Sequence, residues 1–298
     1  MRLSWAPWLT GALATAYAIL QSTWLLAGTP TWALSSSDLT TPRGLVIGAC
    51  LAVIAVVAAL KVTGGRWPLV VAAWALSLLL TCSAAMILLD FVGGILPGLG
   101  IPHDPAGFAS RAACLVVAAF SAVTALSYQR ELRGCARCSR IPRLAATPRW
   151  AYVAAYAAVA GFALRIFAQV ALFGPVPFAE GPQTLVFEAG FGLAGVLLPL
   201  ALVHRWGRIW PRWVLPLAGR RVPRWLVVGP GFAVAAALLA YFGAGLVQLT
   251  QETIAGTLQL PAFMWTAIPA YVLWGIGLAI ASTAYYRATK PPCPTCHT

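Results

Sequence analysis

The stretch GLVIGACLAVIAVVAAL, Gly44 to Leu60, runs for seventeen residues without a charge or an amide side chain, and a basic residue stands at each end, Arg43 before it and Lys61 after it. At about 1.5 Å per residue a helix of this length just crosses a hydrocarbon core of roughly 30 Å if it stands nearly upright. A soluble core helix would show a polar face, and this run has none. The reading is a transmembrane helix, and it decides the class of the whole chain.

Seven further runs match it. The eight expected spans are Trp8–Ala27, Gly44–Leu60, Trp67–Phe91, Ser110–Tyr128, Trp150–Phe173, Thr184–His204, Trp225–Leu249 and Phe263–Tyr286. Gly, Pro and polar residues punctuate them, as in Gly64-Gly65 and Gly174-Pro175-Val176-Pro177. The composition agrees. The 298 residues are 60% hydrophobic and only 9% charged, with a mean hydropathy of +0.82. Soluble domains carry roughly 25% charged residues to solvate their surface. The fold class is therefore all-α, a polytopic membrane protein of eight transmembrane helices.

The net charge of +13 resembles that of a nucleic-acid binder, but the basic residues sit in short connectors between apolar runs. With the N-terminus on the cytoplasmic side, seventeen of the twenty Lys and Arg fall inside, Arg43 and Arg111 fall outside, and Arg165 lies within the fifth span. Six of the seven acids (Asp38, Asp90, Asp104, Glu180, Glu188 and Glu252) lie at or near the outer face, and Glu131 lies inside. Positive connectors resist translocation, so N-terminus and C-terminus are both expected in the cytoplasm, with the chain in the cytoplasmic membrane. The first span could pass for a signal peptide, with a cleavage site near Thr31-Trp32-Ala33, but the repeat described next gives it a counterpart.

The eight spans read as two four-helix halves. Leu45-Val-Ile-Gly-Ala49 in the second span parallels Leu185-Val-Phe-Glu-Ala189 in the sixth. Tyr128-Gln-Arg130 ends the fourth span and Tyr285-Tyr-Arg287 the eighth, and each is followed by a Cys-x-x-Cys pair. An even number of spans per half gives both halves one orientation, a parallel repeat about an axis along the membrane normal. The expected organisation is a first half over 1–134, a basic linker over 135–149, a second half over 150–288 and a tail over 289–298.

Cys135, Cys138, Cys293 and Cys296 form two pairs at the spacing that lets both thiolates reach one tetrahedral zinc ion. If the pairs meet, they form a closed structural zinc clasp between the halves. A thiol redox pair and unliganded cysteines are the alternatives. Cys293-Pro-Thr-Cys296-His297 also spells a haem-attachment motif, but it lies on the inner side, so no haem is expected. Cys50, Cys82 and Cys114 lie within spans and read as small packing residues.

Arg165 is the strongly basic residue placed inside a span. A charge there is costly and usually faces a bundle interior or a wet cavity. Gln169 follows on the same helical face, and Glu188 begins the next span at a similar depth. An Arg165–Glu188 pair opening on an outer vestibule is the expectation, with Gln21, Asp90, Trp24, Gln248, Gln251 and Glu252 at the same level. The plainer readings are a pair that only ties two helices together, or an Arg that snorkels to the interface. Ile101-Pro-His-Asp-Pro105 reads as a rigid turn. The segment from Arg205 to Arg224, with six Arg and three Trp, reads as an interfacial stretch that attracts anionic inner-leaflet headgroups.

Absent motifs narrow the chemistry. There is no Walker loop, Gly-x-Ser-x-Gly, His-Glu-x-x-His or Asp-Asp-x-x-Asp, and the three histidines are scattered. No nucleotide and no nucleic acid are expected; membrane lipids are the expected partners, and no protein partner is named. Three function classes remain. The first is binding or transport of a small or amphiphilic anion at Arg165. The second is a membrane-embedded enzyme acting on lipid or isoprenoid, with Glu188 or Asp90 as proton donor. The third is a structural or assembly subunit.

Four short motifs carry a resemblance: Trp24-Leu-Leu-Ala-Gly28, Trp206-Gly-Arg-Ile-Trp-Pro-Arg-Trp213, Leu217-Ala-Gly-Arg-Arg-Val-Pro223, and Tyr285-Tyr-Arg287 with the cysteine pair beyond it. In these the chain resembles a family of eight-helix actinobacterial membrane proteins. The family has no assigned activity, so the resemblance implies the architecture and transfers no functional residue.

Overall fold

In a computed structural model, the structure describes residues 5–33, 37–95, 102, 104–135, 141–173, 182–210, 212 and 216–291, with the side chains of residues 95 and 182–184 excepted. Helices dominate, and the extended pairing among the described residues is one antiparallel bridge, Ile209 to Arg221. Seven helices are long and apolar enough to cross a membrane, and a bent pair brings the number to eight. The protein is an all-α, multi-pass membrane protein.

The chain divides into two compact units at Ile141/Pro142, inside the basic linker. The first holds α1 (Ala6–Ala27), α2 (Arg43–Thr63), α3 (Trp67–Ser83), α4 (Ile87–Ile95) and α5 (Pro105–Leu132). Proline opens α1, α3 and α5, where its missing N–H would have no helical partner anyway. Asp104 caps α5, its Oδ1 accepting from the Gly107 N–H at 3.0 Å. Gly64 ends α2 with φ +73°, in the left-handed region open to glycine at no steric cost.

The four long helices form a ring, α1 on α2, α2 on α3, α3 on α5 and α5 on α1. Buried residues line its whole length, among them Ala14, Cys50, Val53, Leu80, Cys114 and Val117. Hydroxyls join the apolar contacts: Thr10 Oγ1 lies 2.8 Å from Thr124 Oγ1, and Ser77 Oγ donates to the Ala118 carbonyl at 2.9 Å.

The third span differs from the continuous helix expected over Trp67–Phe91. It breaks after Ser83, and α4 turns 48° away from α3. The connector ahead of α2 causes the break. Thr40 N–H donates to the Ser83 carbonyl at 3.0 Å and Thr41 Oγ1 to Ser83 Oγ at 2.8 Å, supplying partners from outside the helix.

The second unit holds α6 (Arg149–Ala168), α7 (Pro182–Gly192), α8 (Leu198–Val203), α9 (Arg224–Ala255) and α10 (Pro261–Thr289). A π-helical turn over Gln169–Phe173 continues α6, and another over Leu193–Leu197 links α7 to α8. Again neighbours form a ring: α6 on α8, α8 on α9, α9 on α10 and α10 on α6. The α6–α10 crossing is close because glycine faces backbone. A Cβ on Gly161 would stand 2.7 Å from the Ala270 carbonyl oxygen and 2.8 Å from the Trp274 nitrogen. Gly277 likewise faces the Ala154 carbonyl and Ala158.

The loop between α8 and α9 folds back on itself. Val222 N–H donates to the Arg208 carbonyl at 2.9 Å and Trp210 N–H to the Arg220 carbonyl at 3.0 Å. Trp206 and Trp225 at its two ends are exposed. The basic stretch from Arg205 to Arg224 is therefore a hairpin-like turn in its described part, opened by a single 3-10 turn.

Candidate functional site

Two polar centres lie within the helical region, one in each unit, and they differ in how their charges are matched.

In the first unit the bend of α4 brings Asp90 over α5. Both carboxylate oxygens of Asp90 accept from Nη1 of Arg111, at 2.7 and 2.6 Å. Arg111 Nε donates to the Asp38 carbonyl at 2.7 Å, and its Nη2 lies 3.6 Å from Asp104 Oδ2. Gly107 lets these two side chains meet, since a Cβ there would collide with the Asp104 carboxylate and the Arg111 guanidinium. Beside them, Arg43 Nη2 donates to Asp38 Oδ1 at 2.6 Å, and Arg43 Nη1 to Gln21 Oε1 at 2.9 Å. Asp38 Oδ2 accepts from Ser110 Oγ at 2.6 Å, and the Gln21 amide reaches Tyr17 Oη at 2.9 Å. Gln21, Asp38, Asp104, Ser110 and Arg111 are all buried.

Gln21 and Asp90, expected to line a vestibule with Arg165, thus sit in a network of their own. Each faces an arginine, and none of the five residues just named has a free path to water. Two arginines placed on the side poor in basic residues, each within reach of acids, were the signal in the sequence. Their pairing required the helix break, which the sequence did not show.

In the second unit Arg165 stands sixteen residues into α6, about 24 Å along the helix from Arg149. It turns toward α10. Its Nε donates to Tyr271 Oη at 2.9 Å, and Nη2 donates to Gln169 Oε1 at 2.8 Å. The guanidinium carbon lies 5.3 Å from the Tyr271 ring centre and 5.6 Å from that of Phe263. Nη1 is shielded from solvent and has no hydrogen-bond partner among the described residues. Among the described residues no carboxylate pairs with Arg165.

The expected Arg165–Glu188 pair is not formed. The i, i+4 residues that α7 stacks together and turns inward are Phe187 and Phe191, with ring centres 5.7 Å apart. Glu188, one position on from Phe187, is exposed. Phe191 packs at 5.2 Å on Phe162 and 5.3 Å on Trp274, and Tyr271 stacks on Phe242 at 3.7 Å. Arg165 therefore stands at the edge of an aromatic group contributed by α6, α7, α9 and α10. Tyr271 escaped the sequence reading because an isolated Tyr in an apolar run carries no signal of what faces it.

The remaining candidates are simpler. Gln248 donates to Glu252 at 2.7 Å along α9, in an exposed position. Trp24 packs edge-on against Trp32, with the Arg43 guanidinium 5.5 Å from its ring. Cys135 is buried just beyond α5, whereas Cys138, Cys293, Cys296, His103 and Glu180 lie outside the described residues. Among the described residues no three metal-binding side chains gather.

The π-turn at Gln169–Phe173 begins at the residue that holds Arg165. Such turns are rare, and they occur often at functional sites because they re-aim side chains within a helix. Comparison with protein-family models, with curated sequences and with solved structures finds no match. Function has to be argued from this geometry.

Proposed function

We propose that the protein binds an anion at Arg165, as a membrane-embedded binding or transport protein. One observation carries the reading. Among the described residues Arg165 has a shielded Nη1 without a hydrogen-bond partner and no carboxylate beside it, whereas Arg111 of the first unit, although its Nη2 is also unbonded, faces two aspartates. Arg165 stands in the last turn of α6, and a charge within a membrane helix is costly because it leaves water. Hydrogen bonds to a charged group return about 1.5–3 kcal/mol each. Tyr271 and Gln169 each accept one such bond but are neutral, so an anionic ligand bonded to Nη1 would add the counter-charge that they do not supply.

The enzyme reading finds less support. It needs a neutral carboxyl facing an apolar pocket. Asp90 instead accepts two short bonds from Arg111, and Glu188 is exposed. The matching ring order of the two units supports reading them as a duplication.

The test is a binding titration of the detergent-purified protein with dodecyl phosphate. Saturable binding that weakens at least tenfold in Arg165→Gln and survives in Arg165→Lys is the expected result. Equal binding by all three proteins overturns the reading.

A further inference from the structure

The two units are filled differently along their length. In the second, the buried core gathers toward the end that carries Arg149 and Arg287: Ala151, Ala155, Leu202, Val228, Leu278 and Tyr285 belong to it. Beyond Gly161 the one buried residue of α6 is Ala168, and beyond Ala240 the one buried residue of α9 is Leu249. The π-turn after α6 buries nothing, and no described side chain of α7 is buried.

The backbone of α7 packs extensively against no helix outside its own span, and Phe191 is the side chain that reaches across. Gly190 and Gly192 have open space where a Cβ would stand. Among the described residues, this half of the unit is loosely packed along the side of α7. Its walls are apolar, with Val170, Phe173, Leu185 and Val186 all more than half exposed.

Arg165 meets this side through Tyr271, whose ring centre lies 6.3 Å from that of Phe191, and its Nη1 has no hydrogen-bond partner among the described residues. A second unclaimed donor lies deeper. The Trp274 indole N–H has no acceptor, although the residue is only 1% exposed. Trp274 follows Tyr271 by three residues, about 4.5 Å further along α10. A small hydrated ion would lose its water on entering and gain only Arg165. A molecule with an acidic head and an apolar chain would keep the chain in contact with the phenylalanines and with lipid.

We infer that the ligand of Arg165 is a single-chain lipid anion, a carboxylate or phosphate monoester, that enters from the bilayer beside α7. The head bonds to Arg165, and the chain lies between the Gln169–Phe173 turn and the Phe187–Phe191 stack. Charge complementarity selects this occupant over a neutral helix of a partner, which would leave Nη1 without an acceptor. The inference rests on the anion-binding reading of the same site.

The test uses full-length protein in nanodiscs and a dodecyl phosphate with a diazirine near the chain end. Binding is compared with that of methyl phosphate and inorganic phosphate, and adducts are mapped by mass spectrometry. The expected result is at least a tenfold preference for the dodecyl ester. Adducts should concentrate in 169–173 and 185–193 and fall at least fivefold in Arg165→Gln, with Arg165→Lys retaining them. Equal Arg165-dependent binding of all three phosphates, with adducts scattered over the helical belt, overturns the lipid inference and leaves the anion reading standing. Arg165-independent binding or labelling overturns both. Unchanged gel-filtration and helical signal show that each variant has folded.

Discussion

The phenol oxygen of Tyr271 lies 2.9 Å from Nε of Arg165 and joins α10 to α6 at a guanidinium within a span that has no carboxylate partner among the described residues. The contact orients the guanidinium rather than neutralising it. With Nε on Tyr271 and Nη2 on Gln169, Nη1 is the group left for a ligand. Phe242, stacked on the Tyr271 ring at 3.7 Å, keeps the phenol from swinging away.

Tyr271→Phe tests this role. It removes one hydrogen bond and keeps the ring stack, so binding of dodecyl phosphate should weaken about fivefold, the equivalent of about 1 kcal/mol. Thermal stability in detergent should change little. A Kd equal to that of the unsubstituted protein would show that the phenol does not position Arg165.

The first unit calls for a different experiment. Asp90→Ala leaves Arg111 buried with Asp104 alone, and that at 3.6 Å. Breaking a buried pair from one side costs about 3–5 kcal/mol. A large fall in melting temperature is expected. The triple variant Asp90→Leu, Asp104→Asn, Arg111→Met should recover much of it, because Asp104, whose cationic partner is Arg111, is then not left as a buried unpaired charge, and an amide oxygen can still cap α5. Glu188→Gln, at an exposed position, should stay within about 0.5 kcal/mol of the parent. A scan of all three variants by the same thermal assay separates these outcomes.

Helix approach in the second unit depends on Gly161. A methyl group there meets backbone of α10 rather than a side chain that could rotate away. Gly161→Ala should destabilise by about 1–3 kcal/mol, and Gly161→Leu should abolish folded protein. Gly190→Ala, with open space around it, should be neutral. Yield of monodisperse protein and its melting temperature report the ranking.

Zinc and sidedness can be tested together. Both cysteine pairs are expected in the cytoplasm, one beyond α5 and one beyond α10. Fluorescent-protein fusions at Lys290 should therefore fluoresce, and alkaline phosphatase fusions at the same position should be inactive. Native mass spectrometry should find one zinc per chain, lost in Cys135→Ser. An active phosphatase fusion would reverse the topology, and a metal-free protein would remove the clasp.

The class of the protein and the approximate limits of its spans were legible in single residues. Seventeen apolar residues between Arg43 and Lys61 can satisfy their backbone in lipid only as a helix, whatever surrounds them. Of the three cysteines read as packing residues within spans, Cys50 and Cys114 are buried and Cys82 is half-buried. The proximity of Arg165 to Gln169 followed from the helical repeat, which is a local property.

Partnership across helices was decided by tertiary structure. Arg165 faces Tyr271 instead of Glu188 because α7 turns Phe187 and Phe191 inward, a choice of rotation that every apolar face of that helix leaves open in sequence. Asp90 reaches Arg111 because Thr40 and Thr41 take over Ser83 and bend the third span, and those donors lie some forty residues away along the chain. In lipid most faces of a helix are apolar, so hydropathy fixes which segments cross but carries little information about which side of each meets its neighbours. Packing of glycines, aromatic rings and buried charges settles that, and with it the contrast between the arginines of the first unit, which face aspartates, and Arg165, which among the described residues faces neutral partners.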